Sequence, residues 1–220
     1  MQKPVYFEYG VKETEWLKSR DKILGAAIDE IGHIHRTVIP DLFIAMINSI
    51  IGQQISSKAH TTVWSRIQEK FKILTPEAIA STAPEEIQIC GTSMRKAACV
   101  KEIAQLIAGG HLNLAKLHDL SDAEVCKELT KIKGIGTWTA EMLMIFSMQR
   151  MDILSWDDSA IQRGIKILYR HRKITQELFN KYKKRYSPYA SVASLYLWAI
   201  SNKTPNELVQ KPAGRQNKPK

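Results

Sequence analysis

Cysteine is scarce in this chain. There are three in 220 residues, Cys90, Cys99 and Cys126, with no C-x-x-C pair and no cluster. That speaks against a disulfide framework, a zinc site and an iron–sulfur cluster, and it suits a reducing compartment. Long apolar runs are missing too. The longest, Leu42 to Ile51, is broken by Asn48 and Ser49 and falls short of the ~20 residues that a membrane span needs. The first ten residues hold no apolar core of signal-peptide type. A cytoplasmic protein without membrane association is expected. Strand signals are absent: there is no Asn-Gly or Asp-Gly turn and no sustained alternation of apolar and polar residues. No internal repeat and no Ser/Gly/Pro-rich linker divides the chain. Acidic residues are in deficit, 22 Asp+Glu against 32 Lys+Arg, for a net charge of +10 and a pI near 9.5. This excess favours a polyanionic partner, most simply DNA or RNA. A merely basic soluble protein is the plainer alternative that charge alone leaves open.

What is present is helix. Asp41 precedes an apolar helix, and Thr175 is placed to cap Gln176 to Tyr182. Thr75-Pro76 and Ser187-Pro188 each set a capping residue before a proline at the first helical position. Thr82-Ala83-Pro84-Glu85 and Ser121-Asp122-Ala123-Glu124 have capping-box spacing. An all-α fold of about ten helices joined by short loops follows. The tail 211–220 is rich in Lys, Pro, Gln and Asn and is expected to be a disordered basic extension.

The richest stretch runs from Leu129 to Ala140, as Leu-x-x-Ile-x-Gly-Ile-Gly-x-x-Thr-Ala, with Trp156-Asp157-Asp158 downstream. A helix from Ser121 to about Lys131 would end at Gly134 and Gly136, and a second would open near Thr137. Glycine tolerates backbone angles that a Cβ resists, and it lets a phosphate approach the main chain. The N–H groups and dipole of the following helix favour an anion there. Gly-x-Gly alone is equally consistent with an ordinary helical hairpin.

The whole pattern resembles the helix-hairpin-helix DNA glycosylase superfamily, and within it the alkylpurine, 3-methyladenine type. Four stretches carry the resemblance: Ile51 to Ser56 (IGQQIS), Cys90 to Ala97 (CGTSMRKA), the hairpin through Asp158, and Tyr186 through Trp198. They cover residues 40 to 200. The resemblance implies two helical lobes, 39–138 for one and 12–38 with 139–210 for the other, without the N-terminal β domain of larger relatives. It implies a monomeric enzyme that acts on double-stranded DNA containing damaged bases, hydrolysing the N-glycosidic bond of an alkylated purine. Glycosylases for deaminated bases such as uracil or hypoxanthine use the same scaffold, and a non-catalytic DNA-binding module would also carry the hairpin.

The site residues follow from the same resemblance. Asp158 takes the catalytic position, where a carboxylate stabilises an oxocarbenium-like transition state; Asp157 would cap the helix or support it. Trp138, Trp198 and Met142 fall at base-pocket positions, the indoles offering π faces to a cationic base. Met142 stands where tyrosine is common, and Trp156 stands in place of a proline. Relatives that also cut the strand carry a lysine at position 138 as Schiff-base nucleophile; tryptophan has no amine, so strand cleavage is not expected. Lys133, Gly134, Gly136 and Thr137 would meet the DNA backbone. Gln53 and Gln54 would meet the partner strand, Met94 would wedge into the gap left by the extruded base, and Arg95 and Lys96 would hold flanking phosphates. No catalytic cofactor and no iron–sulfur cluster are expected. A Na+ or K+ on the carbonyls of Thr130, Ile132 and Ile135 is. The clusters Arg170-His171-Arg172-Lys173 and Lys181-Tyr182-Lys183-Lys184-Arg185 read first as solvated faces.

Overall fold

The computed structural model describes residues 3–202; the tail 211–220 lies outside them. Two compact units divide the chain. Of the described residues, the first comprises 3–8 and His35–Ile153, the second Tyr9–Ile34 and 154–202. The second unit holds α1 (Val11–Arg20), α2 (Lys22–Ile31), α10 (Ser159–Tyr169), α11 (Gln176–Tyr186) and α12 (Ala190–Asn202). The first holds α3 (Leu42–Gly52), α4 (Ser57–Lys70), α5 (Pro76–Ser81), α6 (Pro84–Gln88), α7 (Met94–Ala108), α8 (Asp122–Thr130) and α9 (Thr137–Phe146). Among the described residues the sheet is limited to β1 (Val5–Tyr6) and β2 (Thr37–Val38), antiparallel with Val5 opposite Val38. No helix among them is long and apolar enough to cross a membrane.

Each unit is built on one helix that is apolar nearly all round. In the first it is α3, whose Leu42, Phe43, Met46, Ile47, Ile50 and Ile51 are buried against α4, α7 and α9. A helix of that kind has no solvent face and ends up enclosed. Helix α9 packs on α3 and α8, so the compact first unit continues through it to Ile153 instead of stopping at residue 138. In the second unit α12 is the enclosed helix, buried from Ala190 to Leu197. It packs most closely on α10, where Gly164 makes the approach possible. A Cβ at Gly164 would stand 2.3 Å from the Leu197 carbonyl oxygen. Gly164→Ala should therefore force the two helices apart and cost at least about 1–3 kcal/mol, the usual penalty of overpacking, seen as a lower urea midpoint.

Asp21 ties α1–α2 to the later helices. It is 5% exposed, and its Oδ1 accepts from the Ile23 and Leu24 amides to cap α2. Its Oδ2 accepts from the Tyr169 hydroxyl at 2.8 Å and from the Arg185 guanidinium at 2.7 Å. The Tyr169 hydroxyl also meets that of Tyr186 at 2.7 Å, and burial pushes the Tyr169 phenol well up from its ordinary value. Arg185 is thus a structural cation, held by a carboxylate 164 residues earlier.

Most expected caps form. Asp41, Thr75, Ser121 and Thr175 each accept an amide of the helix that follows, and Ser121 closes its box with Glu124. Two do not. The Thr82 hydroxyl donates back to the Ala78 carbonyl, so Thr82 closes α5 and Ala83 opens α6. Ser187 ends α11, the Ser187–Pro188 bond is cis, and α12 begins only at Ala190.

Candidate active site and nucleic-acid interface

In the second unit, Asp158 is the N-cap of α10. Its Oδ1 accepts from the Ala160 and Ile161 amides, both at 2.9 Å. Its Oδ2 accepts from Trp198 Nε1 at 3.1 Å. The carboxylate is only 6% exposed. A buried charge is tolerable when hydrogen bonds replace its water; here the first turn of α10, with its dipole, and one indole supply them. The structure corrects the expected division of labour. Capping falls to Asp158 itself through one oxygen, while Asp157 is exposed and caps nothing. Trp156 packs edge-on against Phe179, and its carbonyl accepts from Gln162 Nε2. That fixes the loop leading into Asp158.

The close crossing of α10 and α12 brings Trp198 to Asp158. The indole turns its nitrogen edge to the carboxylate. Trp198→Phe keeps a π face and removes the N–H. A hydrogen bond to a charged group is worth about 1.5–3 kcal/mol, so single-turnover excision should fall about 10- to 100-fold on cationic and neutral lesions alike. A loss restricted to cationic bases would assign Trp198 to π recognition instead.

In the first unit, α8 and α9 flank the hairpin. Gly134 has φ +88°, and a Cβ there would lie 2.7 Å from Cys99 Sγ and 3.2 Å from Ile50 Cδ1. It is glycine for conformation and for space. Gly136 differs: it is the N-cap of α9 at φ −87°, and no heavy atom lies within 4 Å of its would-be Cβ. Gly136, Thr137 and Lys133 are exposed, so the start of α9 lies at the surface. Cys99, which the sequence did not single out, donates to the Lys133 carbonyl at 2.8 Å and holds the turn from behind; burial raises its thiol pKa.

The other expected DNA-contact residues gather beside the hairpin. Gln53, Gln54, Arg95, Lys96, Lys133 and Gly134 line one cavity of about 390 Å³. Gln53 Nε2 donates to the Gly134 carbonyl at 2.9 Å. Gln54 is exposed and has φ +56°, uncommon for a residue with a Cβ. Met94 opens α7 at 38% exposure, with Arg95 exposed beside it. Lys96 departs from its expected role. Its ammonium donates to the carbonyls of Ile51 at 3.0 Å and Gln53 at 2.5 Å, closing the C-terminus of α3, and burial lowers its pKa.

Trp138 and Met142 share a face of α9, four residues apart. Trp138 is 43% exposed, so much of its indole lies at the surface and not in a core. Met142 lines a cavity of about 380 Å³ with Arg36, Asn48, Ser49, His60 and Phe146 among its walls. As for the hairpin carbonyls, the Ile135 amide donates to Ile132 O at 3.0 Å. Among the described residues no backbone donor outside regular helix reaches Thr130 O or Ile135 O.

Comparison with known proteins agrees with this geometry. Residues 47–188 match the model of the HhH-GPD superfamily base excision DNA repair proteins. DNA-3-methyladenine glycosylase 1 of Schizosaccharomyces pombe is 35% identical over 161 residues, covering 71% of each chain. A crystal structure described as a DNA-3-methyladenine glycosidase from Bacillus halodurans superposes with a TM-score of 0.82 at 30% identity, over 94% of this chain and 100% of that one. The S. pombe 3-methyladenine DNA glycosylase in complex with abasic DNA gives 0.74 at 30% identity, over 89% and 98%. With its hairpin, its capped aspartate and a family match over most of its length, the chain belongs to the HhH-GPD superfamily of base excision DNA repair proteins.

Proposed function

We propose that this chain is a monofunctional DNA glycosylase that hydrolyses the N-glycosidic bond of alkylated purines, 3-methyladenine and 7-methylguanine, in double-stranded DNA. It would act as a monomer in the compartment that holds the DNA. The observation that carries the reading is the buried Asp158 carboxylate, held in one orientation by α10 and by Trp198. As the bond from C1′ to the base breaks, its electron pair leaves with the base and positive charge develops on the sugar. A fixed carboxylate in a water-poor setting stabilises that charge without reorganising. Water then adds at C1′ and releases a proton. An alkylated purine is already cationic and leaves as a neutral base, so a separate general acid is unnecessary.

The remaining roles follow from exposure. The exposed indole of Trp138 suits stacking on an extruded base, with Met142 supplying apolar surface beside it. The amides after Gly136, with Lys133 and Arg95, hold the phosphate backbone, Gln54 meets the partner strand, and Met94 fills the gap in the duplex. A Na+ or K+ on the carbonyls of Thr130, Ile132 and Ile135 would add one positive charge facing phosphate.

Duplexes each carrying a single 7-methylguanine, uracil or hypoxanthine test the substrate class, read as free base released. Release confined to the alkylated purine supports the proposal. Preference for uracil or hypoxanthine would replace it with a deaminated-base glycosylase. No release from any duplex would leave a DNA-binding module. The product strand should stay continuous with an abasic residue, and borohydride should trap no covalent enzyme–DNA adduct, because Trp138 offers no amine.

A further inference from the structure

The +10 charge is unevenly placed. The hairpin-bearing unit, residues 1–8 and 35–153, has fourteen Lys/Arg against thirteen Asp/Glu. Between Leu154 and Asn202 there are nine against three. The excess concentrates on α10 and the loop that follows it. From Ser159 to Gln176 there are five Lys/Arg, namely Arg163, Lys166, Arg170, Arg172 and Lys173, and no acidic residue.

The structure turns this run into a surface. Arg163 and Lys166 stand at i and i+3 on one face of α10, opposite the face on which Ile161, Gly164 and Ile165 are buried, and Arg170 follows at i+7 as the left-handed C-cap of that helix. All five cations are exposed, and among the described residues none forms an ion pair. Arg185 and Lys181, the basic residues on α11 that do find partners, are held by Asp21 and Glu177. The stripe on α10 begins about 7.5 Å along the helix axis from Asp158 and ends about 18 Å from it. It shares no residue with the hairpin or its cavity. Like charges at helical spacing repel by a few tenths of a kcal/mol per pair, which offsets what Lys166 and Arg170 gain at the C-terminal end of the helix dipole.

We propose that this face of α10, with Arg172 and Lys173, is a second DNA-binding surface that takes the sugar–phosphate backbone of duplex DNA regardless of sequence or damage. The stripe spans about 10.5 Å, the length over which one strand presents about three phosphates at one per 3.4 Å. Three point cations without a pocket read charge and not base edges, so the surface serves retention on undamaged duplex and not lesion choice. It does not depend on which base the enzyme removes.

The test is the salt dependence of binding to an undamaged duplex. Wild type is compared with Arg163→Gln/Lys166→Gln/Arg170→Gln and with a control of equal net charge, Lys12→Gln/Lys72→Gln/Lys116→Gln. The control lysines are exposed, and among the described residues none of them forms an ion pair. In the stripe variant the slope of log K against log salt should become shallower by about 2 to 3. The control should keep the wild-type slope, both should melt with wild type, and single-turnover excision at saturating enzyme should stay within twofold. An unchanged slope in the stripe variant, or an equal change in the control, overturns the proposal. A fall in saturated excision would place the stripe in the lesion site and overturn its separateness. An acidic protein as true partner would show as an unchanged slope on DNA.

Discussion

Asp158→Asn should lower single-turnover base release by about a thousandfold or more while the protein stays folded and still binds duplex DNA. Asparagine caps a helix as well as aspartate, so its amide oxygen retains the Ala160 and Ile161 hydrogen bonds and the melting temperature should hardly move. What disappears is the negative charge. With the amide oxygen committed to α10, the amide nitrogen faces Trp198 Nε1, and two donors oppose each other where an N–H met a carboxylate. Removing a single preorganised electrostatic group costs about 10² to 10³ in rate in well-studied cases, and here a full charge and a hydrogen bond go together. Because Asp158 is not among the groups proposed to hold the backbone, on the hairpin or on the exposed face of α10, DNA affinity should change little. Excision near the wild-type rate would show that the carboxylate is a helix cap and nothing more.

The second large effect is expected at Gly136. Gly136→Asp meets no neighbour, since nothing lies within 4 Å of the new Cβ. An aspartate at this N-cap should even strengthen α9 by a few tenths of a kcal/mol, the difference between glycine and aspartate caps. The folded protein should therefore be as stable as wild type or slightly more so. DNA affinity should nonetheless fall about 10- to 100-fold at low salt, equally for every sequence, because a carboxylate now occupies the approach of a phosphate and repels it. The same substitution at Gly134 would read quite differently. There the Cβ collides with Cys99 and the φ of +88° is lost, so folding and binding would fail together. Unchanged binding by a folded Gly136→Asp variant would make the hairpin a structural turn only.

Sequence patterns exposed the parts of the structure that obey local rules. Capping residues at fixed offsets announced α3, α5, α8 and α11, and the glycine pair between α8 and α9 announced the hairpin. The carboxylate at the start of α10 was legible for the same reason. Where two local rules competed, the pattern misled. Thr82 had the spacing to open α6, but its hydroxyl found the Ala78 carbonyl one turn earlier. Of two adjacent aspartates, spacing could not say which would cap. Pairings across long separations left no local trace. Asp21 meets Arg185 and Tyr169, Lys96 closes the end of α3, and Trp198 meets Asp158 from 40 residues away. Gly164 did carry a signal. A lone glycine inside an amphipathic helix costs about 1 kcal/mol against alanine, and such a residue usually marks a close approach, here that of α12.

The most direct test of the account is chromatography of free bases released from N-methylated duplex DNA by the wild-type chain, with spontaneous depurination subtracted. 3-Methyladenine and 7-methylguanine should appear in the soluble fraction, released many times faster than without enzyme, and an unbroken strand should be left behind. Release no faster than the spontaneous rate, or release accompanied by a nicked strand, would contradict it.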